Sequence, residues 1–242
     1  MLDSVVGASG QARRCRVLAH VHTRRSSDAS ISARQIVDYA RTHSIDAVIV
    51  TDHNTHLGST DCAELSGDGP LFPMSAEYKS TSGDIIAACL SRPLLQREPM
   101  ALIQEAHAQG ALIILPHPYR GSHFSDRILE EADIIEVFNS RCSDELNARA
   151  LATAQALGKP GIVGADAHLA HELGLALNEY DAPLTADLRS ILFSSWQVAK
   201  TEHTTMRSIR RSQMIKARRR MRPILFAKNL VRWVQSSPTA TP

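Results

Sequence analysis

An α/β fold with largely parallel strands is expected for this sequence on three observations. Short apolar runs, typical of buried strands, alternate with stretches whose apolar residues recur at helical spacing. Helical stretches are punctuated in the usual way, with Ser or Pro ahead of them and Gly just after. Histidines and carboxylates also sit at the ends of four apolar runs, residues 17–22, 48–53, 112–117 and 162–168. Seven or so alternations within about 200 residues fit a compact barrel better than an open sheet, because a barrel gathers the C-terminal ends of its strands at one mouth.

The elements follow in order. The first strand is Val17-Leu18-Ala19-His20-Val21-His22. Residues 32–43 carry Ala33, Ile36, Val37 and Ala40 at helical spacing, with Ser32 or Ser30 as the cap. Residues 45–51 form the second strand, and 72–77 and 85–90 two more, with Ser80-Thr81-Ser82-Gly83 turning between them. Pro99 opens a helix that runs to Gln109 and stops at Gly110. Strands at 111–115 and 134–138 come next, then a helix over 143–157 closed by Gly158 and Pro160, and a strand at 161–165. A strand over 173–177 and a helix near 185–192 complete the body.

With 242 residues, the chain can bury an adequate core. No run approaches the roughly 20 apolar residues that span a bilayer. Residues 1–11 lack the basic start and apolar stretch of a secretory signal, so cytoplasmic residence is the expectation. Cys15, Cys62, Cys89 and Cys142 form no Cys-X-X-Cys, which suits reduced thiols.

The net charge of +2 hides a segregation. Ten of the 27 Lys and Arg residues lie in 203–242, where there is no Asp or Glu, so residues 1–202 carry 17 basic against 25 acidic residues, a net −8. Residues 207–222 hold eight of those ten with Met206, Ile209, Met214 and Ile215 nearby, Pro223 breaks the run, and 224–234 is a second amphipathic stretch with Phe226 and Trp233. Such a basic helical tail suits an anionic membrane surface, with peripheral association, or nucleic acid. It equally suits an apolar face packed on the body with its charges in water. The boundaries expected are an N-terminal extension over 1–14, a body over 15–202 and the tail over 203–242.

Strand alternation places His20 and His22 on one face, and Asp166 and His168 on one face, as chelating pairs. Imidazole and carboxylate donors without thiolates suit Zn, Mn or Fe in an open centre rather than a closed structural site. His56 reads as a loop histidine, with a general acid or substrate contact as the alternative, and Asn139 as a residue that orients a ligand or touches substrate, with a turn residue as the alternative. Glu136 is assigned no role.

Taken together, His20-Val-His22-Thr23, Asp28, Thr51-Asp52-His53-Asn54-Thr55, Glu77, Pro116-His117-Pro118, Glu136-Val137-Phe138-Asn139 and Asp166-Ala167-His168 resemble the polymerase and histidinol phosphatase, or PHP, domain family. The resemblance covers roughly residues 15–200. It implies a distorted seven-stranded β/α (TIM-like) barrel that holds two or three divalent ions and hydrolyses phosphate esters. By that resemblance His20, His22, Glu77 and Asp166 hold a first metal. Glu77 bridges to a second, which His117 also binds, and Asp28, His53 and His168 hold a third. Asp84 stands where the family often has a histidine, and as a carboxylate it hardens the second site toward Mn or Fe rather than Zn.

Two cations about 3.5 to 4 Å apart lower the pKa of a bridging water and clamp the attacking and leaving oxygens, so the expected nucleophile is a metal-bridging hydroxide. Arg120 and Arg141, just past the ends of two strands, are candidates for holding the phosphate oxygens of a phosphorylated substrate, with solvated surface arginines as the alternative. The leading expectation is a phosphoesterase acting on a phosphomonoester or phosphodiester. The alternatives are a nuclease for short RNA or DNA, helped by the tail, and a noncatalytic metal-binding regulatory module. The compact connections predict an open mouth.

Overall fold

The computed structural model describes residues 14–183, 187–236 and 241, so the extension expected over 1–14 lies almost wholly outside the described residues. Nine strands form one mixed sheet: β1 (Cys15–Val21), β2 (Ala47–Val50), β3 (Ser75–Lys79), β4 (Asp84–Ala88), β5 (Leu112–Leu115), β6 (Ile134–Asn139), β7 (Gly161–Ala167), β8 (Ala176–Tyr180) and β9 (Trp196–Thr201). Their order is β3-β4-β5-β6-β7-β1-β8-β9, with β2 on the other edge of β1. The pairs β1–β2, β1–β7, β5–β6 and β6–β7 are parallel, and β3–β4, β4–β5, β1–β8 and β8–β9 are antiparallel.

Among the described residues the ladders do not close into a ring. After the four residues of β2, the chain meets the β3 region only through the isolated bridges Ala47↔Leu71 and His53↔Glu77. On the far side, β8 takes the Cys15–Val17 half of the β1 edge while β7 takes Ala19–Val21, and β9 extends the sheet beyond β8. Among the described residues the sheet has nine strands, two of them beyond β7, because the segment after β7 folds back as a hairpin onto β1 instead of ending the sheet.

Alternation along the strands sorts the core. Val17, Ala19, Ala47, Ile49, Ile114 and Ile162 share one apolar cluster with Leu188, Ile191 and Leu192. Leu18, Val48 and Val163 join an outer cluster with α1 (Ala33–Thr42). Ser32 caps α1 in a reciprocal capping box with Gln35, which satisfies two backbone donors that the helix leaves open. The helix buries Ile36, Val37 and Ala40, and each fully buried Ile or Val contributes about 1.5 to 3 kcal/mol. A third cluster joins β3 to β5 with α3 (Pro99–His107), where Pro99 opens the helix and Gly110 follows it at φ +72°.

The remaining helices are α2 (Leu57–Ser66), α4 (Asp126–Glu131), α5 (Asp144–Ala156), α6 (Leu188–Leu192), α7 (Met206–Arg219) and α8 (Pro223–Gln235). The start expected near Thr185 for α6 lies outside the described residues. No helix among the described residues is long and apolar enough to cross a membrane. The tail is stitched to the body at its root: the Thr204 hydroxyl donates to Glu172, the Thr204 amide donates to the Ser140 carbonyl at 2.9 Å, and the His171 ring meets the Ser208 hydroxyl at 2.8 Å. On the outer side, α8 leaves Ile224, Val231 and Val234 exposed.

Candidate metal centre

The ends of β1, β2, β3, β5 and β7 bring His20, His22, His53, Glu77, His117, Asp166 and His168 together. Plain strand alternation is not what aims them. His20 sits at φ +60° where the register of β1 shifts between Ala19 and Val21, and His117 and Asp166 also have positive φ, +30° and +46°. Such bulges and left-handed residues cost free energy and are characteristic of places where a side chain must be re-aimed. His20 and His22 therefore reach one point through a bulge rather than through a regular two-residue repeat.

Glu77 lies at the centre. Its Oε1 is 3.6 Å from His20 Nε2 and 3.3 Å from His117 Nε2, and its Oε2 is 3.6 Å from His22 Nε2 and 2.9 Å from His53 Nδ1. Asp166 Oδ1 is 3.6 Å from His20 Nε2 and 3.4 Å from His22 Nε2. Asp28 Oδ1 is 3.5 Å from His53 Nε2 and 3.6 Å from His168 Nε2. Three groups have donor atoms mutually close enough to share an ion: His20 with His22 and Asp166, His20 with Glu77 and His117, and His22 with His53 and His168. Asp84 belongs to none of the three but lines the same cavity, and burial together with the Glu77 charge raises its carboxyl above the ordinary range.

The residues present fit metal ions. His20 Nε2, His22 Nε2, Asp28 Oδ1, both Glu77 oxygens and His117 Nδ1 are buried and make no well-aligned hydrogen bond, although His53 Nδ1 comes within 2.9 Å of Glu77 Oε2. Leaving so many polar atoms unsatisfied in a folded interior is costly, and five of the six converge on the same small volume. Two donors bound to one ion at about 2.0 to 2.1 Å in tetrahedral array stand about 3.4 Å apart, which matches the spacings above.

Neighbouring groups hold these side chains in place. Glu136 is buried, and its Oε1 meets His20 Nδ1 at 2.7 Å while its Oε2 accepts from the His117 amide at 2.7 Å and from Asn139 Nδ2 at 2.9 Å. A carboxylate on the far nitrogen of a ligating histidine fixes its tautomer and ring orientation. Asp52 accepts from the amide and hydroxyl of both Thr23 and Ser26, which shapes the loop that delivers Asp28. Neither residue was assigned a role in the sequence. Their signal in the sequence was their place in the motifs Thr51-Asp52-His53 and Glu136-Val137-Phe138-Asn139.

Charges within the cluster are strongly coupled. Burial alone would raise the Glu77 carboxyl, but His20 and His53 outweigh it and hold it well below the usual carboxylate range. Burial likewise opposes charge on His53, yet Glu77 and Asp28 push its pKa up to about 10. His20 is raised well above its ordinary value by Glu136, Asp166 and Glu77 against its burial. His168 goes the other way, lowered by burial and then by Arg141 and His22.

The two arginines differ. Arg141 is buried, with Nη2 donating to both Glu172 oxygens at 3.1 and 2.9 Å, Nε to the Asp166 carbonyl at 2.8 Å and Nη1 to Ser212 at 3.1 Å. Arg120 donates through Nη2 to Asp166 Oδ2 at 2.7 Å, and a third of its side chain remains exposed toward the cavity.

A mixed α/β fold with a buried histidine and carboxylate centre at its strand ends defines the class of this protein. The PHP-associated family matches residues 144–192. Uncharacterized protein MJ1587 of Methanocaldococcus jannaschii is 31% identical over 136 residues, covering 50% of this chain and 80% of that protein. Among solved structures, a two-domain protein of Bacteroides vulgatus, described as containing a predicted PHP-like metal-dependent phosphoesterase, superposes with a TM-score of 0.62 at 20% identity, over 73% of this chain and 61% of that one. This chain thus spans less than two thirds of that two-domain protein. PsfC from Pseudomonas syringae gives a TM-score of 0.56 at 18% identity, over 86% of this chain and 99% of its own. The chain belongs to the PHP domain family.

Proposed function

We propose that this protein is a metal-dependent phosphoesterase that hydrolyses a phosphomonoester or phosphodiester. The observation that carries the reading is the convergence of buried histidine and carboxylate atoms without hydrogen-bond partners in a chain of this family. Two or three divalent ions, Mn, Fe or Zn, are the cofactors this donor set suits. His20, His22, Glu77 and Asp166 would hold the first, Glu77, His117 and Asp84 the second, and Asp28, His53 and His168 the third. When bound, such ions supply Lewis acidity and a water acidic enough to attack phosphorus near neutral pH.

The chain's own residues do the rest. Glu136 orients His20, Asp52 holds the loop carrying Asp28, and Arg120 offers guanidinium donors to phosphate oxygens. Arg141 instead spends its donors on Glu172, Ser212 and Asp166, so its part is to fix Asp166 and α7 rather than to bind substrate. We also read β1 to β7 as the distorted seven-stranded ring of the family, with the His53↔Glu77 bridge as its weakest joint and β8 and β9 as additions. That joint carries two ligands, which accounts for a chain path that sacrifices ladder hydrogen bonds there.

The test is elemental analysis of protein purified without chelators, with hydrolysis assayed on phosphomonoesters, phosphodiesters and short oligonucleotides with added Mn. Two or three equivalents of metal with turnover of one class is the expected result. His22→Ala and Asp166→Ala are each expected to lose metal and activity together. Full activity in either variant would sink the assignment.

A further inference from the structure

Helix α7 carries the densest basic run of the sequence, and in the fold it is a wall of the metal-site cavity rather than a free surface helix. Ile209, Ser212, Gln213 and Lys216 line a cavity of about 360 Å³ together with Asp28 and Arg120. The mouth expected to be open is therefore bounded on one side by the tail. The helix is anchored independently of Lys216: Arg219 Nη1 donates to the carbonyls of Arg24, Ser26 and Ala29 at 3.2, 2.7 and 3.0 Å, and Ser212 accepts from Arg141.

Lys216 Nζ lies 2.6 Å from Asp28 Oδ2. The other oxygen, Asp28 Oδ1, has no hydrogen bond and faces the nitrogens of His53 and His168. The carboxylate is thus divided, one oxygen turned to the histidines and one to the ammonium. Lys216 Nζ meets the carboxylate oxygen that the histidines do not face. An ammonium has three N–H donors, Asp28 takes one, and the side chain is 39% exposed at the cavity. A cation held next to a cation site across a shared carboxylate is repelled by any ion bound there. An anion contacting both relieves that repulsion.

We propose that Lys216 is a substrate-binding residue whose ammonium takes a non-bridging oxygen of the substrate's phosphate group, acting with Arg120. The proposal rests on the phosphoesterase reading of the same site and extends it, because it makes the segment after Glu202 part of the substrate pocket. Docking of α7 does not need Lys216, since Arg219 and Ser212 already supply it.

The experiment is calorimetric titration of the Mn-loaded, full-length protein with inorganic phosphate, comparing wild type, Lys216→Met, Lys216→Arg and Arg218→Met. Arg218 is exposed on the same helix and does not line the cavity, so its variant removes an equal charge at a distance. Lys216→Met is expected to weaken phosphate binding about tenfold or more, the loss of one charge-assisted contact, with metal content retained. Lys216→Arg is expected to recover most of it and Arg218→Met to match wild type. With a phosphomonoester substrate, KM should rise in Lys216→Met more than kcat falls.

Wild-type phosphate affinity in Lys216→Met would overturn the proposal. An equal loss in Arg218→Met would reduce the effect to general electrostatics and overturn it as well. So would loss of metal from Lys216→Met if its metal-loaded fraction bound phosphate normally, because Lys216 would then act only on Asp28. The phosphoesterase reading fails separately, on absence of turnover by wild type, and a Lys216-dependent phosphate site would survive that result.

Discussion

Glu136 does not line the cavity, yet it fixes three groups at once: the His20 ring, the His117 amide and the Asn139 side chain. Gly164 makes room for it, since a Cβ there would lie 1.7 Å from Glu136 Oε1 and 3.1 Å from His20 Cβ. Glu136→Gln keeps the shape and removes the charge, while Gly164→Ala keeps the charge and displaces it. Both are expected to weaken metal binding about 10- to 100-fold, the usual cost of losing a partner that orients a ligand, as read by equilibrium dialysis with elemental analysis. Wild-type metal affinity in both would mean that His20 needs no orienting carboxylate. His20, His22, His53, His117, Asp166 and His168 were legible in the sequence because they sit at the ends of apolar runs, whereas Asp28 and Glu77 were legible only through the family resemblance. Glu136 was not, because the register of β6 shifts between Glu136 and Phe138 and a two-residue repeat cannot say which way its side chain points.

At the scale of elements, the strands and helices with a strong apolar period were legible and those without one were not. Residues 57–66 carry no apolar stripe, yet they form α2, which packs beside α1 and the loop held by Asp52. The six residues of α4 are too few to show a period. β9 is exposed along almost its whole length and owes its place to hydrogen bonding with β8 rather than to burial. The tail helices could be read as amphipathic, but the docking of α7 depends on partners far away in sequence. Glu172 is the chief of these, accepting from Arg141, Thr204 and the amides of His168 and Leu169. Replacing it leaves the buried Arg141 guanidinium with only the Asp166 carboxylate, 3.9 Å from its Nε, as counter-charge. Glu172→Gln is accordingly expected to destabilise the protein by about 3 to 5 kcal/mol in urea unfolding, and to loosen α7. A change under about 1 kcal/mol, the worth of an exposed pair, would show that water reaches Arg141 and that the root of the tail is not packed.

For the whole molecule, the acidic body and its buried cluster tie stability to metal and to pH. Without metal, the raised pKa of His53, about 10 against an ordinary 6.5, stabilises the fold fully below 6.5, and that contribution is lost as pH rises through about 10. His20 acts in the same direction. The depressed carboxyls of Glu77, Asp28 and Asp166 stabilise above the ordinary carboxylate range, and their contribution is lost only as pH falls below it. The metal-free protein thus leans on histidinium–carboxylate pairs between these limits. Metal ions need the same histidines deprotonated, so binding must expel protons from His53 and His20, whereas the lowered His168 has none to lose. Each proton expelled makes apparent affinity rise about tenfold per pH unit until the raised pKa is reached. The gap in Tm between Mn-loaded and chelator-treated protein is therefore expected to widen steadily from roughly pH 6 to pH 9, as the metal-free form loses its pairs and the metal-bound form gains affinity. Differential scanning calorimetry across that range, with proton release measured by titration in two buffers of different ionisation enthalpy, checks both halves. A gap that stays constant with no proton release would mean that the histidines are already neutral without metal, and that the carboxylates alone hold the cluster together.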